Sequence, residues 1–146
     1  MLQIALPHLR VAASSALVII LSSGADTRFI NSGWMPYCVS KAALSRYLQC
    51  LAHEEDGSQI KIRGACPGVT RTPIAKDMLA GKYKNIMRDD EIEIFLQWSK
   101  DESFVQPQGW SGDVVGMMAA DSLEGAKHGE LEYYDIQVSG VEYKFL

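Results

Sequence analysis

From Ala16 to Leu21 the chain reads Ala-Leu-Val-Ile-Ile-Leu. Continuous apolarity without alternation is the pattern of a strand at the centre of a parallel sheet covered on both faces. Gln59 to Cys66 sets Ile60, Ile62 and Ala65 against Lys61 and Arg63, which predicts a second strand. Between the two, Pro36 to about His53 predicts a helix. Its Val39, Ala42, Ala43, Tyr47, Leu48, Cys50 and Leu51 make an apolar surface broad enough for two contacts, one with the sheet and one with a partner chain. A well-buried helix accounts for the same breadth. Glu54-Glu55-Asp56-Gly57-Ser58 closes that helix with a polar turn, and a strand, helix, strand return of this kind is expected to be right-handed.

Outside this unit the pattern is less regular. Leu2, Ile4, Ala5, Leu6 and Leu9 fit the last turns of a helix ending near Ala12, with Pro7 as an interruption. Ser23 to Met35 carries Gly24, Asp26, Asn31, Ser32 and Gly33 and reads as a loop. Pro73 at a first helical turn introduces a short helix, Ile74 to Leu79. After a polar connection from Gly81 to Asp90, helices are expected over about Asp90 to Lys100 and Ser111 to Ala120, and a final strand over Glu130 to Tyr134. The acidic run Asp89-Asp90-Glu91-Ile92-Glu93 suits a helix N-terminus, where the dipole favours negative charge. Phe95, Trp98 and Trp110 read as core or interface residues, and Val138 to Leu146 takes no assignment.

Length and charge narrow the choice of function. A chain of 146 residues without repeats or a visible boundary is one domain. Lys and Arg total 14 against 18 Asp and Glu, a net charge of -4, so no basic field attracts phosphate backbones and nucleic acid is not expected as a partner. The run Ala16 to Leu21 is far too short to cross a bilayer, and the first ten residues lack the pattern of a signal peptide. Cys38, Cys50 and Cys66 have no metal-ligand spacing and read as reduced, mostly buried thiols of a cytoplasmic protein. His8, His53 and His128 are isolated, so no metal site is expected, and Ser22-Ser23 lies outside any Gly-x-Ser-x-Gly nucleophile elbow.

Candidate chemistry lies in Tyr37 and Lys41, four residues apart on the predicted helix and therefore on one face. A phenol at its ordinary pKa is a poor acid or base at neutral pH, and a fixed positive charge favours its ionised form. One unit charge at about 4 Å supplies roughly 4 kcal/mol at an effective dielectric of about 20, enough to matter. Alone, the pair fits equally a tyrosine packed by its ring and a lysine reaching water. Two further segments give it weight: Ser22-Ser23 at the end of the first strand, and Ala65-Cys66-Pro67-Gly68-Val69-Thr70-Arg71-Thr72 after the second.

In this order the three segments resemble the short-chain dehydrogenase/reductase family, whose signature is a strand ending in serine, a Tyr-x-x-x-Lys helix and a strand ending in Pro-Gly. Ser22-Ser23-Gly24-Ala25 with Gly33-Trp34 and Pro36-Tyr37-Cys38 is most similar to its sepiapterin-reductase-like and benzil-reductase-like branch. The resemblance implies an α/β fold, the C-terminal part of a doubly wound Rossmann-type parallel sheet. The N-terminal dinucleotide-binding strands would be missing, since no Gly-rich pyrophosphate turn occurs in the sequence, and residues 1–146 would form a single partial domain.

The resemblance also implies the roles. Ser23, Tyr37 and Lys41 would be catalytic, Tyr37 as general acid/base, Lys41 as the charge beside it and Ser23 as the hydroxyl that orients a carbonyl, with Ser22 as the alternative match. Tyr37, Lys41, Pro67, Gly68, Val69, Thr70 and Thr72 would hold the cofactor, NADP in preference to NAD, and the substrate would be a small carbonyl or alcohol. Trp34, Met35, Met78 and the Lys82 to Arg88 loop are candidates for lining its pocket. A homo-oligomer would form through the Tyr37 helix. The opposing reading is a non-catalytic fragment that acts only through those oligomer contacts.

Overall fold

A computed structural model describes residues 2–27, 30–100, 110–120 and 128–133. In chain order the elements are α1 (Leu2–Arg10), β1 (Ala16–Leu21), a 3-10 turn (Gly24–Asp26), α2 (Met35–Glu54), β2 (Ile60–Cys66), α3 (Pro73–Leu79), α4 (Asp89–Lys100), α5 (Trp110–Ala120) and β3 (Leu131–Tyr133). The expected Tyr134 end of the last strand and the tail 138–146 lie outside the described residues, as do the side chains of Trp98 and Trp110.

The three strands form one sheet in the order β1-β2-β3, all parallel. Ala16 pairs with Ile60 and Leu21 with Ala65, so β1 and β2 end side by side. Strand alternation then sends residues to two layers. On one side Ile60 and Ile62 join Leu6 of α1 and Leu48, Leu51 and Ala52 of α2, with Val18 and Ile20 packed against them. On the other, Ala65 meets Val114 and Met118 of α5, with Ile19 alongside. Each fully buried aliphatic side chain contributes roughly 1.5–3 kcal/mol, and these two clusters hold helices to both faces of the sheet.

Polar contacts fix the ends of the elements. Arg10, in the last turn of α1, forms an ion pair with Glu55, which caps the end of α2 and is 3% exposed. The guanidinium's hydrogen bond holds the Glu55 carboxyl below its ordinary pKa, and the carboxylate in turn raises that of Arg10. The two hydrogens of Gln59 Nε2 are shared among the carbonyls of Leu9, Arg10 and Ala12 at 3.0, 3.1 and 2.9 Å, at the helix end where carbonyls lack intrahelical partners. Arg63 is buried, and its Nη1 donates to the Met118 carbonyl at 3.1 Å in the last turn of α5, where a cation complements the dipole. The His128 ring joins α2 to β2. Its Nδ1 accepts from the Ile62 amide at 3.1 Å, so the proton of the neutral ring is on Nε2, 2.8 Å from the Ala52 carbonyl.

Several expectations need correcting. Among the described residues β2, not β1, is the central strand: every residue of β2 but Lys61 is buried, whereas Ala16 to Ile20 are half-buried and Leu21 is exposed. β1 has a partner along one edge alone among the described residues, and an apolar run records hydrophobicity without counting neighbours. The helix read over the first residues is present, with Pro7 inside it. Pro7 and Gln3 are both exposed, so the carbonyl that the proline leaves unpartnered can be hydrated. Of the cysteines expected to be mostly buried, Cys66 is buried, Cys38 half-buried and Cys50 exposed.

Candidate functional site

The site is built at the carboxyl ends of β1 and β2. Where β1 stops, the Ser22 amide donates to the Ala65 carbonyl at 2.7 Å, which keeps the chain beside β2 for one more residue. The two serines then part. Ser22 is buried, and its Oγ lies 3.0 Å from Ser45 Oγ on α2. Ser45 in turn donates to Asp26 Oδ2 at 2.8 Å. Ser23 is half-buried. Its extended backbone makes it the cap of the 3-10 turn, with its Oγ accepting from the Ala25 amide at 3.2 Å. Among the described residues nothing accepts the Ser23 hydroxyl proton, which leaves it available as a donor.

Tyr37 and Lys41 stand in the first two turns of α2, which Pro36 starts from a position where a missing amide hydrogen costs nothing. The structure brings the pair together as their spacing predicts: Lys41 Nζ lies 5.8 Å from the centroid of the Tyr37 ring. Tyr37 is 38% exposed and Lys41 half-buried. Among the described residues the Lys41 ammonium meets no carboxylate and no hydrogen-bond acceptor. A partly desolvated cation with open donor positions fits a ligand rich in hydroxyl or carbonyl oxygens.

Tyr37 is also braced from outside. The Trp34 ring meets it edge-on at 5.6 Å and stacks on Phe95 of α4 at 5.3 Å, while the Trp34 indole donates to Met87 Sδ at 3.3 Å. Both Glu91 oxygens accept from the Ser32 amide, at 3.1 and 3.0 Å. The connection after α3 is therefore pinned to the loop that leads into the Tyr37 helix. Of the proposed pocket residues, Trp34 and the Lys82 to Arg88 stretch meet in this way through Met87. Met35 is 76% exposed and Met78 half-buried.

Beyond β2, Pro67, Gly68 and Val69 are half-buried and leave the sheet beside Ser22-Ser23. Thr72 Oγ1 caps α3 by accepting from the Ala75 amide at 3.4 Å. The Thr70 hydroxyl is buried and without a partner among the described residues. Asp26 and Ser45 have structural parts in the site that sequence reasoning missed. The available signal was weak: Ser45 stands eight residues after Tyr37, two steps of four along one helix face.

A parallel sheet covered by helices on both faces, with hydroxyls, a phenol and an ammonium at the strands' carboxyl ends, defines an α/β protein of the Rossmann type. Residues 1–82 match the short chain dehydrogenase profile, and the chain belongs to that family of oxidoreductases. The chain is 28% identical over 138 residues to benzil reductase ((S)-benzoin forming) of Saccharomyces cerevisiae, across 94% of its own length and 52% of that protein's. Among solved structures it is similar to the KRED1-Pglu enzyme, with a TM-score of 0.74 and 24% identity over 90% of this chain and 52% of that one. L-sorbose reductase from Gluconobacter frateurii, solved with NADPH and L-sorbose, gives a TM-score of 0.68 at 19% identity over 92% and 52%. The chain spans about half the length of these relatives.

Proposed function

We propose that the chain carries the proton-transfer part of an NAD(P)-dependent oxidoreductase that interconverts a small carbonyl compound and its alcohol. The observation that carries this reading is the Tyr37-Lys41 pair, whose ammonium has no other partner among the described residues, on the helix packed beside a Ser23 hydroxyl whose proton nothing among those residues accepts. Reduction of a carbonyl needs a proton delivered to its oxygen as a hydride reaches its carbon. Ser23 keeps its proton and donates a hydrogen bond to that oxygen, orienting it, an electrostatic role of the oxyanion-hole kind. Tyr37 gives up its proton there, and the Lys41 ammonium stabilises the phenolate left behind. In alcohol oxidation Tyr37 takes the proton back.

A nicotinamide dinucleotide supplies the hydride when bound. Tyr37 and Lys41 would hold its ribose side, and Pro67, Gly68, Val69, Thr70 and Thr72 its nicotinamide side, Thr70 through its backbone. NADP is preferred, in keeping with the NADPH in the Gluconobacter reductase. The aromatic wall of Trp34 and Phe95 beside Tyr37 suits an aryl ketone, the kind of substrate named for the yeast relative. A cytoplasmic location is part of this proposal. No helix among the described residues is long and apolar enough to cross a membrane.

A second reading has its own observation. Val39 is 62% and Tyr47 43% exposed on α2, and Ala43 lies exposed between them, an apolar strip suited to a second copy. On that reading the chain acts through oligomer contacts alone. Cofactor titration separates the two. Binding of NADPH or NADH by the wild type, with ketone turnover reduced by about 10²-fold or more in Tyr37→Phe, supports the enzyme. A folded chain that binds neither cofactor at millimolar concentration leaves the oligomer reading.

A further inference from the structure

We infer that Asp26 and Ser45 are positioning residues, a part-buried hydroxyl-carboxylate clamp that sets the catalytic serine against the proton donor; this rests on the carbonyl-reducing role proposed for Ser23 and Tyr37. The direction of the clamp follows from its hydrogen inventory. A carboxylate only accepts, so the one Ser45 proton goes to Asp26 Oδ2, at 2.8 Å. Ser22 must then donate to Ser45, at 3.0 Å. Asp26 Oδ1 accepts from the Thr27 amide at 2.8 Å, so the carboxylate holds the turn that follows Ser23 as well as the helix. Ser22 and Asp26 are 6% and 9% exposed, which makes each bond stronger than it would be in water and a missing partner costly.

The placement of the two ends gives the clamp its purpose. Ser23 stands between Ser22 and the turn that contains Asp26, and both flanks are tied to Ser45. Ser45 follows Tyr37 and Lys41 along α2 at steps of four, so it lies on the helix stripe that bears the acid and its cation. The same bonds turn the Ser22 hydroxyl away from the open end of the sheet, leaving Ser23 as the serine that serves the substrate. Removing Ser45 Oγ leaves the Ser22 hydroxyl and one Asp26 oxygen without this partner and lets the Ser23 turn shift relative to Tyr37.

The test uses Ser45→Ala and Ser45→Thr in the 146-residue chain, read by NADPH-dependent reduction of benzil and by amide hydrogen exchange. Ser45→Ala is expected to lower kcat by about tenfold to a hundredfold, since small misplacements at a reacting centre act on that scale. KM should stay within about twofold and Ser45→Thr should restore kcat to within about threefold, a split and a rescue that general loosening would not give. A folded Ser45→Ala with wild-type kcat overturns the clamp. If the wild-type chain has no turnover, the proposed activity fails on its own account and exchange decides the clamp. Faster exchange of the Thr27 amide by about tenfold or more in Ser45→Ala, with the Ile62 amide unchanged, supports it, and equal Thr27 rates overturn it. Should Ser45→Ala fail to fold, Asp26→Asn, which keeps the volume and removes one acceptor, is judged by the same readings.

Discussion

Gly33 and Gly57 form a matched pair for asking whether the α3–α4 region is packed against the loop that carries Trp34. Both have φ of 76°, but a Cβ on Gly57 would meet nothing within 4 Å, whereas one on Gly33 would stand 2.1 Å from Ile86 Cγ2 and 2.9 Å from the Ile86 carbonyl oxygen. An alanine forced into the left-handed region costs roughly 1–2 kcal/mol, and this is the whole effect expected of Gly57→Ala. At Gly33 the intruding methyl must also displace a side chain and a backbone oxygen, and overpacking of that kind adds about 1–3 kcal/mol. Gly33→Ala should therefore be less stable than Gly57→Ala by about 1–3 kcal/mol. Urea unfolding measures the difference, provided the slopes of the two variants agree. Because Ile86 adjoins Met87, the sulfur partner of Trp34, Gly33→Ala should also change tryptophan fluorescence, and Gly57→Ala should not. Equal stability of the two variants would refute the reasoning, since φ alone would then account for both.

Two further outcomes follow from the ends of α2. Glu55 has its pKa lowered by Arg10, so the pair's contribution is fully present above the ordinary carboxylate range and fades as pH falls through the depressed value. Between pH 7 and pH 3 the urea midpoint of the wild type should fall further than that of Glu55→Gln; parallel profiles would show that the pair does not stabilise the fold. His128→Ala should cost about 1–3 kcal/mol, because the Ile62 amide and the Ala52 carbonyl both lose a partner. Native-state exchange at Ile62 checks it, and an unchanged rate would mean that water replaces the ring.

The elements that could be read from sequence were those whose cause is local. Ala16 to Leu21 matches β1 to the residue, and the helix and second strand differ from expectation by about a residue, because apolar runs, Pro36 and the Glu54 to Ser58 turn set them without help from afar. Tyr37 beside Lys41 was legible for the same reason, one turn of helix. What could not be read depends on partners remote in sequence. Arg10 finds Glu55 45 residues away, Trp34 finds Met87 across 53, and Ser32 finds Glu91 across 59. Glu55 looked like part of a solvated turn, and its burial comes from the docking of α1 beside it. Asp26 looked like a turn residue because its use is decided by which helix face the turn meets. Resemblance alone favours Ser23 over Ser22, and the different surroundings of the two hydroxyls come from the pleat and the Ser45 contact.

One crossover, from β1 through α2 to β2, contains Ser23, Tyr37 and Lys41, and the Pro67 to Thr72 segment follows directly after it. A nascent chain therefore needs only this contiguous stretch, closed by the Ala16 to Ala65 ladder, to bring those groups to one end of the sheet. Geometry there should survive damage elsewhere. Substitutions in α5 or β3 that loosen the far face ought to weaken overall stability before they disturb Tyr37, so the chemistry and the robustness of this fold can be altered separately.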